Sequence, residues 1–121
     1  MDKIMIGALI AMQNQFRVFH WQTESYAQHK AFGEAYENLD GLIDEFVEIY
    51  QGKNGITKPG DGFKIKLENL DDSPVDMIDV FIDYLKNEVP NQLEKTDTDL
   101  LNIRDEMMGL LNKTKYLLLL K

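Results

Sequence analysis

HWQTESYAQHKAFGEAYENLDGLIDEFVE, residues 20–48, holds both histidines of the chain, its single tryptophan and a dense run of carboxylates. Phe32, Tyr36, Leu39, Ile43 and Phe46 recur through it at steps of three and four, and Tyr50 follows in phase. Side chains so spaced share one face of an α-helix. The spacing predicts a helix over residues 25–51 with one long apolar seam, ended by Gly52, Asn54 and Gly55. A seam of that length has to be buried against other helices.

Working outward, Ile4, Ile6, Leu9, Ile10, Met12, Phe16 and Phe19 keep the same period and predict a helix over residues 2–21. Thr23, Glu24 and Ser25 break the pattern and offer cap chemistry to the next helix. Residues 52–72 read as a long connection, broken by Gly55, Pro59, Gly60 and Gly62. Within it Phe63, Ile65 and Leu67 alternate with Lys64 and Lys66, the pattern of a short extended piece. Ser73, Pro74 and Asp76 mark a third helix start, with Met77, Ile78, Phe81, Leu85 and Val89 as its stripe and Pro90 as its kink or end. A fourth helix begins after Thr96 or Thr98 and carries Leu100, Ile103, Met107, Leu110, Leu111 and Leu117. Its last run, YLLLL, presents leucines on several sides and suggests burial against a neighbouring subunit. The expected fold is all-α: a single domain over residues 1–121, a four-helix bundle with one long crossover, the connectivity of ferritin-like bundles.

Composition narrows the function. There is no cysteine, which removes disulfides, thiolate zinc sites and cysteine nucleophiles. The net charge of −8 argues against nucleic acid, whose affinity comes from Lys and Arg neutralising phosphates. No apolar run is long enough to cross a membrane, and the start is not read as a signal peptide, so the expected location is the cytoplasm. There is no G-x-S-x-G elbow and no phosphate loop of the Walker order.

Metal chemistry remains. Histidine and carboxylates without cysteine suit iron, with manganese or zinc as alternatives. The intrachain di-iron signature needs Glu-x-x-His, but His20 follows Arg17 and His29 follows Tyr26 at that spacing. Asp44 and Glu48, four apart, share a helix face, and His29 lies near that face. His29 is also roughly 22 Å away along the axis, so only a second copy could join it to the two acids.

This stretch resembles the Dps family of mini-ferritins. The features that carry the resemblance are His20-Trp21 closing the first helix, then His29 followed by Asp44 and Glu48. The C-terminal IRDEMMGLLNKTKYLLLLK looks like that of small phage- and virus-encoded relatives. The resemblance implies an Fe(II) site between subunits, formed by His20, His29, Asp44 and Glu48, with ferroxidase activity and iron storage. Its partners would be further copies of itself, as a two-fold dimer within a larger homo-oligomer. The family's further acid, four residues after the second histidine, is here Gly33, which leaves the site one ligand short. The alternatives are a structural or interaction bundle that keeps a degenerate metal site, such as a viral component in the host cytoplasm or virion, and a plain metal-binding bundle without redox turnover.

Overall fold

The long apolar seam becomes α2, Tyr26–Asn54, in the computed structural model, which describes residues 2–120. Ser25 caps its start, accepting from the backbone N–H of Gln28. Gly55 ends it with φ at 90°, a conformation that favours glycine, and its N–H returns to Gln51 O. Gly52 does not stop the helix as expected, because a lone exposed glycine lowers helix propensity without preventing the fold. The other helices are α1 (Asp2–Gln22), α3 (Pro74–Asp83) and α4 (Thr98–Leu119). The described residues form four helices and no strand.

The directions follow from side-chain pairs. α1 and α2 form an antiparallel hairpin across residues 23–25. Lys53, at the end of α2, bonds Asp97 and Asp99 at the start of α4, so α2 and α4 are antiparallel. Those bonds hold both aspartates below the usual carboxylate range, Asp97 first through the Glu94 N–H and Asp99 first through Lys53. Lys115 near the end of α4 bonds Asp79 in the middle of α3, and the start of α3, Ser73 and Asp76, shares a hollow with Phe19 near the end of α1. The connection between α2 and α3 must therefore travel the length of the bundle.

It does so as an extended strap laid along α1. Asp61 pairs with Lys3 at one end, and Leu70 N–H donates to Gln22 at the other. Between them Gln15 clamps Glu68 through both backbone groups, donating to its carbonyl at 2.7 Å and accepting from its N–H at 2.8 Å. The strap passes over Gly7 at ordinary contact distance: a methyl there would stand 3.8 Å from Ile65 Cγ2 and from Lys64 O. The extended piece expected at Phe63–Leu67 is present, but without a ladder partner.

The core is built from Met5, Leu9, Met12, Phe16 and Phe19 of α1, Phe32, Leu39, Ile43 and Phe46 of α2, and Ile78, Leu100, Met107 and Leu111 from the second half. Two expectations change. Ile4 is exposed and Met5 takes the core position, since the strap leaves Ile4 uncovered. Tyr36 is only half-buried, because it carries the Arg17 guanidinium over its ring.

Pro90 has the expected effect by a specific route. Ahead of it, α3 widens into a π turn, Tyr84–Glu88, where Val89 N–H reaches Tyr84 O, followed by a 3-10 turn over Val89–Gln92. In a π register the next donor, to Leu85 O, would be residue 90, and proline has none. Arg104 Nη1 supplies the missing bond to Leu85 O at 3.2 Å. Ser73, expected as a side-chain cap for α3, makes no such bond; its own N–H is taken by Asp71.

Tyr50 ties the far end of α2 to the start of α1, donating to Asp2 Oδ1 at 2.6 Å. Burial, and then the Asp2 carboxylate, pushes its phenol up to about 12. An unfolded tyrosine ionises near 10, so this contribution is complete below that pH and is lost as pH rises toward the folded value. At about 1.36 kcal/mol per unit the shift corresponds to no more than about 2–3 kcal/mol, less the part that solvent screens. Urea unfolding from neutral pH upward is expected to show this fall in wild type, and a flatter alkaline limb in Tyr50→Phe.

Candidate functional site

The turn between α1 and α2 is tied by its own side chains. Thr23 donates to Gln28 Oε1 and accepts from Ser25 N–H. This brings His20, one turn before the break, opposite His29, one turn after it. The two imidazoles stack with centroids 3.7 Å apart and planes 17° from parallel. His20 Nδ1 lies 2.7 Å from His29 O, and His29 Nδ1 lies 2.8 Å from His20 O. A carbonyl only accepts, so each Nδ1 carries a hydrogen; in the neutral ring that leaves the lone pair on Nε2. His20 O belongs to the last turn of α1, where carbonyls lack helical partners, and the His29 ring supplies one. The pair is thus a reciprocal clasp closing the hairpin.

Gly33 is the clearance for this clasp. A Cβ there would come within 3.0 Å of both Cε1 and Nδ1 of the His20 ring, which its hydrogen bond and stacking hold in place. Gly41 and Gly109 are also glycines inside helices, but nothing lies within 4 Å of a Cβ at either. Alanine at Gly41 or Gly109 is therefore expected to stabilise by about 0.5–1 kcal/mol through helix propensity. At Gly33 the same change should destabilise by about 1 kcal/mol or more, because it displaces the ring. Chemical denaturation of the three variants reads this reversal of sign.

Beside the clasp, the Arg17 guanidinium lies 4.4 Å from the Tyr36 ring centroid and 5.6 Å from that of Trp21. Trp21 is 68% exposed. Arg17, His20, Trp21, Gly33, Tyr36 and Glu37 line a hollow of about 220 Å³. Its walls offer a held cation, aromatic faces, one imidazole and one carboxylate.

Asp44 and Glu48 lie elsewhere, exposed on the outer face of α2, roughly 22 Å from His29 along the helix. Among the described residues no group of three or more His, Asp or Glu side chains is placed to hold a metal ion. Within one chain, His20 and His29 come together, and Asp44 and Glu48 do not join them. The role of Arg17 was not read from the sequence, although its spacing to Trp21, four residues on, was a visible signal. Gln15 was also missed; it lies three after Met12 and four before Phe19, a polar residue on the buried stripe.

Fold and site together define a small helical bundle whose two histidines fasten a hairpin beneath an exposed aromatic–arginine stack. Residues 20–118 match a family model described as a family of unknown function, DUF5856, and the chain belongs to that family. It is similar to a protein of Enterobacteria phage T4 described as an uncharacterized 14.6 kDa protein in the mobD-ri intergenic region. The two are 31% identical over 122 residues, covering 96% of this chain and 86% of that protein. No solved structure matches the chain.

These matches correct the Dps resemblance. They cover nearly the whole chain and point to DUF5856 and a phage protein, and neither carries a Dps or ferritin description. The spacing that suggested Dps has a simpler basis. Short turns place histidines opposite each other, an offset of 15 on one helix returns within about 60° of any starting face, and residues four apart are always surface neighbours. The phage relative does agree with the viral association expected from the C-terminal sequence. Among the described residues, no helix is long and apolar enough to cross a membrane.

Proposed function

We propose that this chain acts by association: an interaction bundle that pairs with a second copy through the α1–α2 face. The observation that carries this is Trp21, largely exposed and held with Arg17 and Tyr36 at the lip of the hollow. Trp, Tyr and Arg dominate the energetics of protein interfaces, and side chains already fixed lose little freedom on binding. A two-fold interface must be self-complementary. Arg17 and Glu37 on one rim meet that requirement, each able to face its opposite in the other copy. The exposed Tyr116, Leu119 and Leu120 at the end of α4 offer a second surface for a larger homo-oligomer. Two antiparallel helix pairs joined by one crossover support grouping the bundle with ferritin-like arrangements. The phage relative supports a role as a viral component.

The test is sedimentation velocity over a wide concentration range. Wild type should dimerise or assemble further. Trp21→Ala should weaken association by about 30-fold or more, the scale of an interface hot spot. Arg17→Glu should abolish it, and adding Glu37→Arg should restore it. A wild-type monomer at every concentration overturns the reading.

A second reading, a metal ion held between copies by His20, His29, Asp44 and Glu48, is favoured by one observation. Both imidazoles are oriented through Nδ1 with Nε2 left over, as in histidines that ligate metals. Titration with Fe(II), Mn(II) or Zn(II) tests it. Saturable binding must disappear in Asp44→Ala/Glu48→Ala and must require the oligomer.

A further inference from the structure

The strap along α1 leaves a second surface unused. Asp61 is tied to Lys3 and Glu68 to Gln15, anchors roughly 18 Å apart along α1, so the short stretch between them runs largely extended. None of the N–H or C=O groups of Phe63–Leu67 is hydrogen-bonded within the described residues. Both ends are fixed, by the Lys3–Asp61 pair and the Gly62 turn on one side and by the Gln15–Glu68 clamp on the other. The segment is therefore held along α1, with Lys64 O turned toward Gly7 and the alternate backbone groups of Phe63, Ile65 and Leu67 on the opposite edge left without a partner. Phe63, Ile65 and Leu67 remain 41%, 42% and 36% exposed. Beside them lies a groove of about 360 Å³, floored by Ile4, Gly7, Ala8 and Ala11.

An unpaired extended edge is a template for strand addition. Charge selects the partner. The chain carries −8 overall, yet residues 57–67 contain Lys58, Lys64 and Lys66 against Asp61 alone. Lys66 is fully solvated apart from a long contact to Glu68 at 3.4 Å, and Asp61 is paired with Lys3. A second copy of the same strap fits poorly. Antiparallel pairing centred on Ile65 would set Lys64 against Lys66 of the other copy, and like charges directly opposite destabilise a ladder.

We infer that the Phe63–Leu67 edge takes up an extended acidic segment of another protein, added as a β-strand. Its carboxylates lie over Lys64 and Lys66, and its alternate apolar side chains enter the groove against Ile4, Ala8 and Ala11. The surface lies on the side of α1 away from α2, so it is independent of the Trp21 face. Because the strap is already extended and anchored, little chain entropy is lost on binding.

The probe is a fluorescein-labelled peptide of alternating glutamate and valine, titrated with the full chain and read by anisotropy. Saturable binding is expected, weakening with added salt. Lys64→Glu/Lys66→Glu, both exposed positions, should lower affinity at least tenfold with an unchanged far-UV spectrum, while Trp21→Ala should leave it unchanged. Two further peptides carry N-methyl groups on one or the other alternate set of amides. A strand presents alternate amides to opposite edges, so one peptide should lose binding and the other keep it. Equal behaviour of the two methylated peptides, absence of saturable binding, or tighter binding of a lysine–valine peptide or single-stranded DNA overturns the inference.

Discussion

Phe32→Ala is expected to destabilise the protein by about 4 kcal/mol, near the middle of the range for emptying a buried phenylalanine site. Phe32 is fully buried, with ring centroids 5.4 Å from Phe19 and 6.3 Å from Phe16. Phe16 in turn meets Phe81 edge-on at 5.8 Å, so the cluster joins α1 and α2 to α3. Alanine removes burial, leaves a cavity and takes away aromatic pairs worth about 0.5–1.5 kcal/mol each. A domain of this size has on the order of 5–15 kcal/mol in total. The melting temperature should fall by about 15 °C, from the unfolding entropy usual for this length. Phe32→Leu should cost much less, because it fills most of the volume. A loss under about 1 kcal/mol for alanine would mean that the cluster does not join the helices as described.

Gln15→Glu is expected to release the strap while leaving the four helices folded. Gln15 is only 2% exposed, and its amide satisfies both Glu68 backbone groups. A carboxylate of the same shape still accepts from Glu68 N–H but turns an oxygen toward Glu68 O. An unmade bond at a buried polar group costs about 1–3 kcal/mol, and more when the group is charged. Local opening of the strap should rise about 30-fold for a loss near 2 kcal/mol. Amide hydrogen exchange at Glu68 N–H reads this directly, because that bonded hydrogen exchanges only when the clamp opens. Burial against the Glu68 carbonyl raises the new carboxyl above the usual glutamate value near 4.3, and once protonated it can donate again. The difference from wild type should then shrink as pH falls. Unchanged exchange at Glu68 N–H in Gln15→Glu would remove the clamp from the account.

The helices were legible because their signals are local. The step of three and four along Phe32–Tyr50, the breaks at Thr23–Ser25 and Gly55, and Pro90 each act on their own stretch of chain. The crossover was legible too, since a connection from residue 52 to residue 72 spans a bundle even when largely extended. The clustering of His20, Trp21 and His29 at one end follows from the hairpin. What misled was the same periodicity used at long range. Asp44 and Glu48 return near the face of His29, but a shared face says nothing about distance along the axis or about what the histidines already bond.

By itself, then, the sequence determined four helices, their order, the long crossover and the apolar stripe of each, because helical period and chain breaks are properties of adjacent residues. Only the tertiary structure decided that His20 and His29 clasp each other, that Gly33 is clearance for a ring where a ligand was sought, that Gln15 clamps the strap, and that Arg104 replaces the bond Pro90 cannot make. Each of these depends on the rotation and height of one element against another. Packing of whole faces sets those quantities, and no local spacing encodes them.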